Sequence, residues 1–255
     1  SDWSSDVCSS DLAIVCDDST VKIYDWKQGK TTNTLKGLHD KGIDAIELTK
    51  DNKYLITASG PGFLKVWDIN SKRSIFNLDQ EEEHTVSTMK LTKNQKMLIC
   101  ATNEGTIDFW DFKTRLCVEV WESSTTEPQA IALTYDDQTL LTSDGGDILI
   151  WSLDNRDIVD IIKEAHDSQI LDIVLTDDSL YFITNGGRYL KVWNLAQRKC
   201  LGTIDLGSQY DLVTAIAILP DKSQFVTGSV SGALKLYNRP ISKKSMTMAS
   251  VPRVY

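Results

Sequence analysis

LKVWD at residues 64–68 decides the fold, because near-copies of it return along the chain at almost constant spacing. They read VKIYD (21–25), IDFWD (107–111), ILIWS (148–152), LKVWN (190–194) and LKLYN (234–238). The aromatic positions Tyr24, Trp67, Trp110, Trp151, Trp193 and Tyr237 are separated by 41 to 44 residues. A fixed period in this range means one repeated supersecondary unit, too small to bury its apolar surface alone. A second landmark keeps step: Asp51, Asn94, Asp136, Asp178 and Asp221, in LTKDNK, LTKNQK, LTYDDQ, LTDDSL and ILPDKS. Each marks a polar turn between two apolar runs, with Asp or Asn able to cap its own backbone and to tolerate the left-handed conformation.

Short apolar runs such as AIEL (45–48) precede that turn, and runs such as YLITA (54–58) follow it. A glycine-bearing turn, the aromatic strand and a fourth apolar run complete each unit. Four short strands fill the period and leave no room for a crossover helix, so the sheets are antiparallel. In LKVWD, Leu64 and Val66 share one face, and Lys65 and Trp67 the other. A Trp on the second face requires both faces to be covered, as in sheets stacked radially around an axis. The expected fold class is all-β, a β-propeller with almost no helix.

Units ending in Trp-Asp, with Gly37-Leu38-His39 near the start of one of them, resemble WD40 repeats from about residue 13 to residue 238. That resemblance implies a WD40-type propeller with about six of seven blades present. It also implies structural roles for Tyr24, His39, Thr57, Trp67, Trp110, Trp151, His166, Thr184, Trp193 and Tyr237. The family joins a His, a Ser or Thr, an Asp and the Trp in a hydrogen-bonded tetrad. Here His39, Thr57 and Trp67 match, with Pro61 where the Asp belongs; His166, Thr184 and Trp193 match, with Gly186-Gly187 in that turn. The unit ending at Trp110 offers Cys100 and Glu104, and its His84 is two residues out of register. The resemblance further implies partner docking beside the first strand and before the second-to-third-strand turn. By register the first slot holds Asp44, Ser87, Gln129, Leu171 and Thr214, and the second Gly60, Asn103, Asp144, Gly186 and Val230. Asp44, Ser87, Asn103, Gln129, Asp144, Leu171 and Thr214 are taken as candidate partner-binding residues, against the alternative of an ordinary polar rim.

Residues 2–12, DWSSDVCSSDL, differ in composition from everything after them and resemble an in-frame translation of a sequencing adapter. Residues 1–12 are therefore expected to lie outside the natural fold. The remaining chain opens inside a unit, so truncation upstream is expected, and residues 239–255 read as a tail of which part is available as a closing strand.

The net charge is −9, and removing Asp2, Asp6 and Asp11 still leaves −6. With the lysines scattered among solvated turns (Lys50, Lys53, Lys93, Lys96, Lys222), no basic stripe for nucleic acid is expected. Among the arginines only Arg188 reads as an inter-strand turn residue, which leaves no arginine ring for a phosphopeptide. Cys16, Cys100, Cys117 and Cys200 have no CxxC spacing and read as reduced, buried thiols. No apolar run approaches a membrane span. His39, His84 and His166 stand near repeat entries and read as struts rather than catalysts. Asp17-Asp18, Asp136-Asp137 and Asp177-Asp178 read as turn carboxylates rather than metal ligands. No catalytic, cofactor-binding or metal-binding residue is therefore expected. Trp26 and Trp121 fall outside the repeat's aromatic slot; Trp121 reads as cover for a blade edge or as an interface anchor.

The functional expectation is a non-enzymatic scaffold in the cytoplasm, or alternatively the nucleus. Its partners would be other proteins or peptides, with neither nucleic acid nor membrane bound directly. The rivals are a propeller enzyme with an axial metal site and a nuclear RNA-processing assembly factor.

Overall fold

The computed structural model describes residues 11–16, 18–25, 28–61, 63–79, 84–123, 127–207, 212–219, 224–238 and 248–249. All regular structure among them is strand, in six antiparallel sheets. The first sheet has three strands, β1 (Asp11–Val15), β2 (Val21–Asp25) and β3 (Lys30–Leu35). The second comprises β4 (Ala45–Leu48), β5 (Tyr54–Ala58), β6 (Phe63–Asp68) and β7 (Arg73–Asp79). The third comprises β8 (Val86–Leu91), β9 (Met97–Thr102), β10 (Thr106–Asp111) and β11 (Leu116–Glu122). The fourth follows with β12 (Ile131–Leu133), β13 (Thr139–Asp144), β14 (Asp147–Ser152) and β15 (Asp157–Ile162). The fifth holds β16 (Ile170–Leu175), β17 (Tyr181–Gly186), β18 (Tyr189–Asn194) and β19 (Lys199–Asp205). The sixth is β20 (Val213–Ile218), β21 (Gln224–Ser229), β22 (Leu234–Asn238) and β23 (Met248–Ala249). The chain forms two compact units, Ser1–Ser123 with the first three sheets and Ser124–Tyr255 with the last three.

Within each unit the sheets pack face to face. Ile56, Val66 and Leu78 of the second sheet join Met89, Leu98 and Trp110 of the third in one buried cluster. Val21, Ile23 and Leu35 of the first meet Leu55, Trp67 and Ile69 of the second. The second unit repeats the scheme, with Leu141 and Ile150 against Phe182 and Trp193, then Ile183 and Val192 against Phe225 and Tyr237. The Leu/Val face of one sheet thus receives the aromatic face of the next, which is why LKVWD is apolar on both sides. Burying a side chain of this size contributes about 1.5–3 kcal/mol.

A bulge recurs where the fourth strand passes the aromatic. The register slips between Ile23/Tyr24, Val66/Trp67, Phe109/Trp110, Ile150/Trp151 and Val192/Trp193. The extra residues are Thr32, Ile75, Val118, Val159 and Leu201, and Ile75, Val118 and Val159 are among the most exposed apolar side chains. A bulge on an outer strand twists an otherwise unpaired edge away from straight pairing.

Two expectations about the termini meet the structure only in part. β1 begins at Asp11, with Leu12 paired to Tyr24, so two residues of the adapter-like segment lie in a strand; backbone pairing does not depend on side-chain identity. The tail supplies β23, paired to β22 through Leu236↔Ala249 and Tyr237↔Met248. Asp17, Trp26, Asp221, Lys222 and residues 1–10 lie outside the described residues.

Candidate functional site: the turn ends of the sheets

The repeat's aromatic is held by a threonine on the neighbouring strand. Trp67 Nε1 donates to Thr57 Oγ1 (2.9 Å), Trp151 Nε1 to Thr142 Oγ1 (3.0 Å) and Trp193 Nε1 to Thr184 Oγ1 (2.9 Å). In two sheets a histidine completes the strut, with His39 Nε2 2.7 Å from Thr57 Oγ1 and His166 Nε2 2.7 Å from Thr184 Oγ1. Burial pushes both imidazoles down to about 4, with Lys65 and Lys191 adding to the effect. His166 Nδ1 is buried against the Gly186 backbone, which opposes the fall in its pKa. Gly186 lies against that ring, where an added Cβ would sit 2.5 Å from His166 Cγ. At Trp110 the threonine position is Cys100, and the indole Nε1 is buried without a partner. In the sixth sheet Tyr237 replaces the Trp; burial raises its phenol and a hydrogen bond from Thr227 opposes that rise. Thr142 and Thr227 were missed at the sequence level, although they stand nine and ten residues before the aromatic, as Thr184 and Thr57 do.

The candidate partner-binding residues stand at one end of the second to sixth sheets. Asp44 accepts from the Gly60 backbone N–H (2.7 Å), and Asp44 N–H donates to the Ala58 carbonyl. Asn103 exchanges bonds with Thr85, its Oδ1 accepting from Thr85 N–H (2.9 Å). Ser87 Oγ donates to the Ala101 carbonyl (3.2 Å). Gln129 N–H donates to Ser143 Oγ (3.0 Å), next to Asp144. Leu171 follows the Ile170↔Gly186 pair, and Thr214 lies inside the Val213↔Ser229 bulge. Asp44, Asn103 and Thr214 are exposed, whereas Ser87, Gln129, Asp144 and Leu171 are half-buried. A Pro61↔Thr85 bridge joins this end of the second and third sheets. In the second unit Asn185 Nδ2 donates to the Val213 carbonyl (2.6 Å), joining the fifth and sixth.

The family "WD domain, G-beta repeat" matches residues 29–68 and 198–238. The chain carries WD40 repeats. Across 244 residues, 95% of its length, it is 19% identical to "U3 small nucleolar RNA-associated protein 15 homolog" of Xenopus tropicalis, of which it spans 46%. Over a shorter stretch of 65 residues it is 42% identical to "WD repeat-containing protein 1" of Gallus gallus, covering 24% of this chain and 11% of that protein. A chain in "Crystal Structure of Mitotic Checkpoint Complex" superposes with a TM-score of 0.73 at 16% identity, covering 96% of this chain and 77% of that one. The fold is an all-β propeller of the WD40 kind, with each described sheet a blade.

At the opposite end, the second to fifth blades each close with two turns built from side-chain caps. Thr49, Thr92 and Thr134 are buried and donate to Asp51, Asn94 and Asp136 at 2.7, 2.9 and 2.6 Å, and Thr176 does the same to Asp178. The left-handed residue is the next one, Asn52, Gln95, Asp137 or Ser179. The landmark side chain instead folds back to accept from the N–H two residues on, as Asp136 does from Gln138. The Asp after the aromatic caps the other turn: Asp68 accepts from Ser71 N–H (2.7 Å) and Asp111 from Thr114 N–H (2.7 Å).

Two further expectations are corrected. Arg115, Arg156 and Arg198 all sit in this second turn in left-handed conformation, so Arg188 is not alone in a turn. Of the four described cysteines Cys100 is buried, Cys16 and Cys200 are half-buried, and Cys117 is exposed because β11 is an outer strand. Trp121 packs on Phe109 of its own blade at 4.4 Å and donates to Glu119. Among the described residues no group of three or more His, Cys, Asp or Glu is placed to hold a metal ion. No described helix is long and apolar enough to cross a membrane.

Proposed function

We propose that the chain is a non-enzymatic scaffold that binds other proteins or peptides through Asp44, Ser87, Asn103, Gln129, Asp144, Leu171 and Thr214. The supporting observation is their setting. Each slot lies where entry segment and turn are tied by hydrogen bonds, such as Asp44 to Gly60 and Asn103 to Thr85. Side chains on such rigid turns lose little further freedom on binding. Buried Thr57, Thr142 and Thr184 serve the Trp–Thr struts instead. A cytoplasmic setting goes with this reading.

A second reading rests on the likeness, across 95% of the chain, to proteins named for association with U3 small nucleolar RNA: a nuclear scaffold in an RNA-processing assembly. Affinity capture with mass spectrometry separates the two. The chain with Asp44→Arg and Asn103→Arg is expected to lose a defined set of partners while keeping its fold. An unchanged partner set after all seven residues are altered would overturn the surface assignment. Co-purification of nucleolar RNA and proteins would select the second reading.

A further inference from the structure

The strongest feature outside that surface is the charge on the opposite end of the second and third blades. Their four turns carry Lys50, Lys53, Lys72, Arg73, Lys93, Lys96, Lys113 and Arg115, all exposed. The turns form one continuous surface. The Ile69 N–H donates to the Lys53 carbonyl and the Phe112 N–H to the Lys96 carbonyl, tying the two turns of each blade together. Lys50 N–H donates to Gln95 Oε1 (3.3 Å), and Arg115 lies over Phe76 at 4.2 Å, tying one blade to the next. The same turns hold three acids, Asp51, Asp68 and Asp111, whose carboxylates are bonded to hydroxyl and backbone N–H groups of their own turns. Eight exposed cations therefore outnumber three carboxylates, of which Asp51 also lies 3.7 Å from Lys53.

The corresponding turns of the fourth and fifth blades are acidic, with Asp136, Asp137, Asp154, Asp157, Asp177 and Asp178 against Arg156, Arg198 and Lys199. The scattered lysines of the sequence are thus gathered into a local basic surface on a chain of net charge −9. Spacing by the repeat period is what hides this in the sequence.

From this geometry we infer that the second- and third-blade turns dock a short acidic segment of a partner protein. The charge pattern selects that occupant over nucleic acid. A long, uniformly charged polyanion would be repelled by the rest of an acidic chain, whereas a short segment feels mainly the local field. The surface presents no exposed aromatic on which a base could stack, since Phe76 and Phe112 are half-buried and pack edge-to-face on each other. Six of its eight cations are lysines, point charges suited to a flexible carboxylate-rich partner. The inference rests on the scaffold reading only in that the occupant is a protein.

The test uses the full chain and a fluorescent oligoglutamate peptide, followed by anisotropy, with oligouridylate as the competing polyanion. The peptide is expected to bind, to weaken as salt is added, and to lose affinity by about 10-fold or more in Lys50→Glu/Lys53→Glu/Lys96→Glu/Lys113→Glu, at roughly 0.2–1 kcal/mol per exposed pair. Lys163→Glu, outside these turns, should bind as the parent does. A Lys-to-Gln version of the four substitutions, checked for the parent's unfolding midpoint, guards against misfolding by charge reversal. Equal peptide binding by the folded variants would overturn the proposal, as would oligouridylate binding through these lysines without the peptide. Peptide binding that survives Asp44→Arg/Asn103→Arg, while partner capture is lost, separates the two proposals.

Discussion

Cys100 isolates what the Trp–Thr strut contributes. Its thiol stands where Thr57, Thr142 and Thr184 stand in other blades, and Trp110 Nε1 is left unpaired. Cys100→Thr should satisfy that donor and raise unfolding stability by about 0.5–1.5 kcal/mol. Denaturant titration reads this directly, and a loss of stability would mean that the site has no room for a hydroxyl partner. The reverse change, Thr57→Val, strands both Trp67 Nε1 and His39 Nε2 and should cost about 2–4 kcal/mol by the same measurement. The motif residues were legible because they recur. The orphaned indole was not, since a missing hydrogen bond leaves no mark on the spacing.

At the scale of the element, the first turn of each repeat depends on a buried threonine hydroxyl. Thr134 Oγ1 donates to Asp136 and also accepts from Thr139 N–H at 2.9 Å. Thr134→Val keeps the shape and removes both bonds, so a loss of about 1–3 kcal/mol is expected in thermal or urea unfolding. The Thr was readable as part of the LT pairs, yet its role emerges only where the chain reverses and brings residue 139 back to residue 134. The bulge shows the same limit. Alternation along β11 marks Leu116, Val118 and Val120 as one face, but they are 63%, 56% and 56% exposed because the strand is outermost and bulged at Val118. Val118→Lys should change stability by less than about 0.5 kcal/mol and reduce concentration-dependent self-association in light scattering.

For the whole molecule, the two buried histidines set a pH dependence. Their folded values, lowered to about 4 from 6.5, mean that the unfolded chain binds more protons between those limits. Stability should therefore be retained above pH 6.5 and fall as pH drops towards 4, by up to about 1.4 kcal/mol per pH unit for each histidine. Urea midpoints across that range test this, and His166→Gln should flatten the slope; an unchanged slope would sink the assignment. The Asp136 carboxyl, lowered by the Thr134 hydroxyl and Gln138 N–H, acts in a separate window: its stabilisation is lost only as pH falls below the ordinary carboxylate range near 3.8. The period, the antiparallel strands and the apolar faces follow from the sequence by itself, because one local pattern repeats and each copy obeys the same short-range geometry. The tertiary structure alone decided which turns share a surface, which strands are outermost and which polar atoms lack partners. Those properties depend on residues a full repeat apart in the chain, and spatial proximity across a period is invisible to any reading of neighbouring positions.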